Sequence, residues 1–146
     1  MERDVRGILN RGYFSTITDL KSYFDANLAL MDFKNVQSHV NEATQIYTKT
    51  NDSCPTQYFD TADVKRSIVC NGCLIEGTVE NSVIGRGCII KKGAVVKNCV
   101  LLSETEVGED VYLENQVVDK HARIIHAKEI IAQSEKPGYI RREDTI

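Results

Sequence analysis

The 146-residue chain has no excess of basic charge: 18 lysines and arginines stand against 21 acidic residues, a net charge of −3. That removes the electrostatic footing on which binding to nucleic acid or an anionic membrane rests. No apolar run approaches the roughly 20 residues of a membrane span. The first residues hold no apolar h-region, so the expected compartment is the cytoplasm. Cys70-x-x-Cys73 has metal-ligand spacing, yet no second Cys or His pair follows at zinc-finger distance, and five cysteines cannot all pair as disulfides. A Gly-rich phosphate loop with a basic residue is also missing, and phosphoryl-type transfer depends on such positioning and charge. The length suits one domain, or one with a small appendage.

What is present is a repeat of six, from Val64 to about Ile131. Ile84, Ile90, Val96 and Leu102 form one unbroken set, and Val83, Ile89, Val95 and Leu101 run one residue ahead of it. A five-residue step leads to Val107, six to Leu113, five to Val118 and six to Ile124. Backwards, Ile75 and Val69 lie six apart, with a nine-residue step from Ile75 to Ile84. Neither a helical period nor strand alternation produces this, whereas parallel β-helices do. Ile, Val and Leu at the repeated position suit strands stacked on a dry core. The alternative is an antiparallel sandwich of short strands.

Gly72, Gly77, Gly85, Gly87, Gly93 and Gly108 punctuate the run where corners need positive φ or no side chain. Cys73, Cys88 and Ala94 sit two positions before a repeated aliphatic, and Cys99 falls one residue from that position. These cysteines read as small packed residues rather than metal ligands.

Before the repeat the pattern differs. Residues 1–15 allow one short strand at most. Thr16-x-x-Asp19 resembles a capping box, and Leu20, Phe24, Leu28 and Met31 follow at helical spacing, with Tyr23 and Leu30 widening the face. A helix is expected over residues 18–32, its apolar face packed against neighbouring structure. Lys34 to Gln45 reads as a short polar helix carrying a solvated His39, Ile46 to Thr50 as β-prone, and Asn51 to Thr56 as a turn-rich connector.

Gly12-Tyr13-Phe14 with Ser22-Tyr23-Phe24-Asp25-Ala26-Asn27-Leu28 resembles a stretch of the ADP-glucose pyrophosphorylases (glucose-1-phosphate adenylyltransferases). Ile46-Tyr47-Thr48-Lys49 and Pro55-Thr56 resemble that family's linker. Asn81-Ser82-Val83-Ile84-Gly85-x-Gly87-Cys88 and Val117-Val118-Asp119-Lys120 resemble its hexad region. The resemblance covers most of the chain. It implies the end of a nucleotidyltransferase domain at 1–33, a linker at 34–63, and a left-handed parallel β-helix with a C-terminal cap at 64–146. The fold expected is thus mainly β, preceded by a helix-containing segment, with Gln133 to Ile140 flanking one end.

The chain departs from the family's catalytic members, which carry Asp-(Ile/Val)-Gly-Thr where this sequence has Thr16-Ile17-Thr18-Asp19. Thr16 thus stands where the resemblance places the catalytic Asp, and a neutral hydroxyl is a poor hard ligand for Mg²⁺. Asp19 belongs to the helix start, where an acid caps and meets the dipole. No catalytic, cofactor-binding or metal-binding residue is therefore assigned. The family uses Mg and ATP through a domain this chain lacks, so a fragment or truncated form is expected. The resemblance is greatest to the non-catalytic GlgD-type subunit of glycogen biosynthesis. It implies homo- or hetero-oligomers with a catalytic ADP-glucose pyrophosphorylase subunit, and effectors that are phosphorylated sugars or related anions. Arg86, Lys91, Lys92 and Lys97 cluster in sequence, but Glu80, Glu104 and Glu106 flank them, as on a solvated face. Two other readings are a hexapeptide-repeat acyltransferase, with His121 or His126 as general base, and a pure assembly module.

Overall fold

The structure, a computed structural model, describes residues 4–9, 14–32, 34 and 50–146. Fifteen short strands sort into three parallel sheets of five, each sheet receiving every third strand along the chain. The first sheet holds β1 (Gln57–Tyr58), β4 (Leu74–Ile75), β7 (Ile89–Ile90), β10 (Glu106–Val107) and β13 (Arg123–Ile124). The second holds β2 (Asp63–Lys65), β5 (Thr78–Glu80), β8 (Val95–Lys97), β11 (Tyr112–Glu114) and β14 (Glu129–Ile131). The third holds β3 (Ile68–Val69), β6 (Val83–Ile84), β9 (Val100–Leu101), β12 (Gln116–Val118) and β15 (Gly138–Ile140). This is a three-sided parallel β-helix, as the repeat of six implies. Among the described residues no helix is long and apolar enough to cross a membrane.

Every strand after β1, whose Gln57 and Tyr58 are both exposed, carries an aliphatic side chain at the inward position. Ile75, Ile90, Val107 and Ile124 occupy it on the first sheet, Val79, Val96 and Leu113 on the second, and Ile84, Leu101 and Val118 on the third. All are at most 1% exposed. Burying each such chain contributes about 1.5–3 kcal/mol relative to leaving it in water.

The register corrects the sequence reading at two places. Leu101, not Leu102, is the inward residue after Val96, and Leu102 is only half-buried outside the core. Two adjacent leucines fit either frame of the hexad, and only the pairing of Leu101 with Ile84 and Val118 decides between them. The nine-residue step from Ile75 to Ile84 conceals Val79, fully buried on the second sheet. The chain passes from Ile75 to Val79 through Glu76-Gly77-Thr78 alone, so this coil repeats at fifteen residues where the next repeats at seventeen. The short corner requires Gly77: a Cβ there would stand 2.5 Å from the Ala94 carbonyl oxygen.

Corners close through small polar groups. Ser67, Ser82, Cys99 and Gln116 occupy one corner column, and each donates to the carbonyl two residues back, on Lys65, Glu80, Lys97 and Glu114. With Leu101 inward, Cys99 lies on the corner position itself. At another corner Thr56, Cys73, Cys88 and Thr105 donate to the carbonyls of Cys70, Gly85 or Leu102. The buried thiols thus do the same work as threonine hydroxyls.

Helix α1 spans Leu20–Ala29, shorter than the expected 18–32. Its cap is Asp19, not Thr16: the Asp19 carboxylate accepts from the Ser22 backbone N–H at 2.7 Å, and Ser22 Oγ accepts from the Asp19 N–H at 3.0 Å. An ionised carboxylate both satisfies an orphan N–H and meets the positive end of the helix, so it takes the cap. Phe24, 2% exposed, packs on Val100 and Val117, with Leu20, Tyr23 and Leu28 around it. Those valines point outward from the third sheet, and α1 is what buries them. The described residues of 1–15 form no strand. The polar helix and β-prone stretch expected between Lys34 and Thr50 fall almost wholly outside the described residues. Gly138–Ile140 is not a mere flank but the last strand of the third sheet. The closing residues pair with β13, Ile146 donating to the Arg123 carbonyl at 2.9 Å.

Leu101→Ala should lower stability by about 2–5 kcal/mol, as for a large-to-small change in a closed core, whereas Leu102→Ala should cost about half as much or less. Urea denaturation of the two variants checks this, and a larger loss at Leu102 would contradict the register.

Candidate functional site

The corner following the third sheet turns through a column of left-handed residues: Gly72, Gly87, Glu104 and His121, at φ 77°, 68°, 61° and 61°. Glycine takes this conformation freely. In the two later coils it is occupied by side-chain-bearing residues, which project from a surface that glycine leaves bare. Arg86 and Lys120 immediately precede Gly87 and His121 in their turns. Asn51 from the connector, Arg86, Ser103, Glu104, Lys120 and His121 line a cleft of about 440 Å³.

The charges in this cleft are unequal. His121 Nδ1 lies 2.9 Å from Glu104 Oε2, so that carboxylate is engaged with the imidazole. Asp119, next to Lys120, is committed elsewhere: it accepts from the Tyr139 hydroxyl and from the Lys120 backbone N–H, both at 2.7 Å. The Tyr139 hydroxyl, then that backbone N–H, hold the Asp119 carboxyl below its ordinary range. Among the described residues, the Arg86 guanidinium and the Lys120 ammonium have no ion-pair partner. Two unpaired cations beside one engaged carboxylate favour an anionic ligand, with Arg86 able to grip a phosphate or carboxylate through two N–H groups.

The basic residues grouped by sequence do not act as a group. Arg86 enters the cleft. Lys91 reaches Glu106 at 2.7 Å on the first sheet, and Arg123 meets the other oxygen of that carboxylate at 2.7 Å. Lys92 lies at a different corner and Lys97 on the second sheet. The cleft residues the sequence reading missed as a set are Lys120 and Asn51. Their signal was recurrence at the coil spacing, since Arg86, Ser103 and Lys120 are seventeen residues apart in turn. Thr16 is exposed and precedes the helix cap, Asp19. His126 is exposed on the final coil. The His121–Glu104 pair has the form of an acid–base dyad, but the left-handed backbone at both residues is a property of the whole corner column, not strain confined to a reactive site.

Three of the five cysteines belong to the scaffold. Cys73, Cys88 and Cys99 are fully buried and Cys54 is exposed. Burial pushes the Cys99 thiol up to about 12. Cys88 is raised by the neighbouring Cys73 thiol and by burial.

Residues 55–138 match the family described as GlmU-like, C-terminal hexapeptide. The chain belongs to that family. The match runs almost from the first strand of the β-helix to its last. Among curated proteins, the chain is 35% identical over 131 residues to the glycogen biosynthesis protein GlgD of Bacillus subtilis, covering 90% of this chain and 38% of that protein. A Desulfitobacterium hafniense glucose-1-phosphate adenylyltransferase is 28% identical over 128 residues, covering 84% of this chain and 32% of the relative. GlgD of Geobacillus stearothermophilus is 61% identical over 51 residues, 35% of this chain and 15% of that protein. The chain thus spans about a third of the length of the first two relatives. It is similar to part of an ADP-glucose pyrophosphorylase-family protein and to GlgD, as its motifs imply.

Lys91 first, then Arg123, hold the Glu106 carboxyl below its ordinary 4.5. A depressed carboxylate contributes stability above its unfolded pKa and loses it as the pH falls through the lower folded value. Stability should therefore decline below about pH 4.5 by on the order of 1 kcal/mol from this group. Urea midpoints between neutral pH and pH 3 should show a shallower decline in Glu106→Gln, and an unchanged decline would contradict the assignment.

Proposed function

We propose that this chain is the regulatory and oligomerisation region of an ADP-glucose pyrophosphorylase-like subunit in glycogen biosynthesis. On this reading it has no catalysis of its own and acts on a catalytic partner subunit. Thr16, which stands where the family's catalytic Asp is expected, fits a partner role. The GlgD relatives are named glycogen biosynthesis proteins, which supports the choice of pathway.

The observation that carries the proposal is a continuity between α1 and the cationic cleft. Leu102 packs with Phe24, Val100 and Val117 under α1, and the next residue, Ser103, lines the cleft. Helix α1 lies within the segment, residues 1–33, that resembles the end of a nucleotidyltransferase domain. An anion drawn to Arg86 and Lys120 would thus bias the corner that begins where the helix contact ends. This supports coupling between an effector site on the β-helix and a domain joined through α1, with a phosphorylated sugar as the effector class. The cytoplasm is the compartment such a role requires.

The test is ADP-glucose synthesis by a catalytic ADP-glucose pyrophosphorylase subunit, with and without this chain, across a phosphorylated-sugar titration. The chain should change the effector concentration for half-maximal response, and Arg86→Ala with Lys120→Ala should reverse that change by roughly tenfold. Catalysis indifferent to the chain at every effector concentration would contradict the proposal.

A further inference from the structure

The short corner at Glu76-Gly77 leaves a second cleft, on the opposite side of the first sheet from the cationic one. The coil before it crosses this corner from Tyr58 to Asp63, and the coils after it cross from Ile90 to Val95 and from Val107 to Tyr112. The intervening coil makes the same turn with two residues fewer. The shortfall opens a notch of about 440 Å³, floored by Gly77 and walled by Thr61, Thr78, Lys92, Glu109 and Asp110. Gly77 cannot accept a side chain without striking the Ala94 carbonyl at 2.5 Å and the Lys91 carbonyl at 2.8 Å. The floor is thus held bare by the backbone itself.

The wall chemistry is mixed. Lys92, Glu109 and Asp110 are exposed, and among the described residues none of their charged groups makes a hydrogen bond or an ion pair. The Asp110 carboxylate lies over Gly93, where it would crowd any Cβ. The Thr78 hydroxyl has no partner among the described residues, while Thr61 Oγ1 donates to the Glu76 carbonyl at 2.7 Å and keeps its lone pairs. One cation among two carboxylates gives an anion no net attraction, and the ammonium works against a metal ion. What fits is a neutral ligand presenting many hydroxyls, each able to donate to a carboxylate and accept from an ammonium or a threonine. Beside the notch, Val95 stands next to Thr78 on the outer face of the second sheet, and Tyr112 stands beyond Val95. They offer an apolar surface for the C–H face of a sugar ring.

We propose that this notch is a binding site for a neutral oligosaccharide, with Glu109 and Asp110 as hydroxyl acceptors and Lys92 and Thr78 as donors. The proposal rests on the glycogen-biosynthesis reading only for the choice of an α-linked glucose oligomer as probe. No partner subunit enters the experiment, so its failure would leave the proposed function standing.

The experiment is a maltotriose titration of the chain, followed by amide ¹H–¹⁵N spectra, with glycerol as a control polyol. Saturable shifts are expected at Gly77, Thr78 and Gly93, with none from glycerol at equal hydroxyl concentration. Asp110→Asn and Glu109→Gln should each weaken binding by roughly tenfold, the scale of one charge-assisted hydrogen bond. Both positions are exposed, and asparagine tolerates the left-handed backbone of residue 110 at φ 57°, so the variants should fold. Unchanged spectra at saturating sugar would overturn the proposal. So would equal shifts from glycerol, or affinity unaltered in both variants.

Discussion

Everything in this molecule depends on the inward aliphatic side chains of the strands after β1, stacked in register through successive coils. The coils are too short to hold a core of their own: all fifteen strands are two or three residues long. Each becomes stable only when the coil above and below supplies both the hydrogen-bonding ladder and the neighbouring methyl groups. Corner geometry follows from that requirement. The backbone must turn sharply without withdrawing the next inward residue, so left-handed residues recur in columns: Asn81, Asn98 and Asn115 at one corner, and Gly72, Gly87, Glu104 and His121 at another. Asparagine is among the few residues with side chains that adopt this backbone readily, and Asn81 also donates to Asn98 across the coils at 2.6 Å.

The same constraint separates scaffold from surface. Inward and corner positions are committed to packing, which is where Cys73, Cys88 and Cys99 went. Outward positions are free to carry charge, helix contacts or clefts. On the third sheet that freedom is spent on Val100 and Val117, which would be exposed were α1 absent. On the first it goes to the Lys91–Glu106–Arg123 network, which crosses three coils. Function then depends on which outward residues the coil spacing superimposes.

Much of the architecture was legible in the sequence because the repeat is a one-dimensional pattern. The recurrence of Ile84, Ile90 and Val96 identified the fold class, and the helical spacing of Leu20, Phe24 and Leu28 located α1. The misreadings share a cause: a local pattern admitting two solutions that only long-range contact resolves. Leu101 and Leu102 are chemically interchangeable in the hexad, and pairing with Val118 selects the first. Val79 was hidden because a shortened corner breaks the period. Thr16 and Asp19 both satisfied a capping spacing, and the stronger acceptor prevailed. The cleft was harder to read, since Arg86, Ser103 and Lys120 meet only through stacking and Asn51 arrives from outside the repeat.

Association with a catalytic subunit is the central claim, and sedimentation velocity addresses it most directly. The chain, a catalytic ADP-glucose pyrophosphorylase subunit and an equimolar mixture would be run at matched concentrations. A single boundary in the mixture, faster than either component alone and containing both, is the predicted result. Two boundaries at the positions of the separate proteins, with and without a phosphorylated sugar, would contradict it.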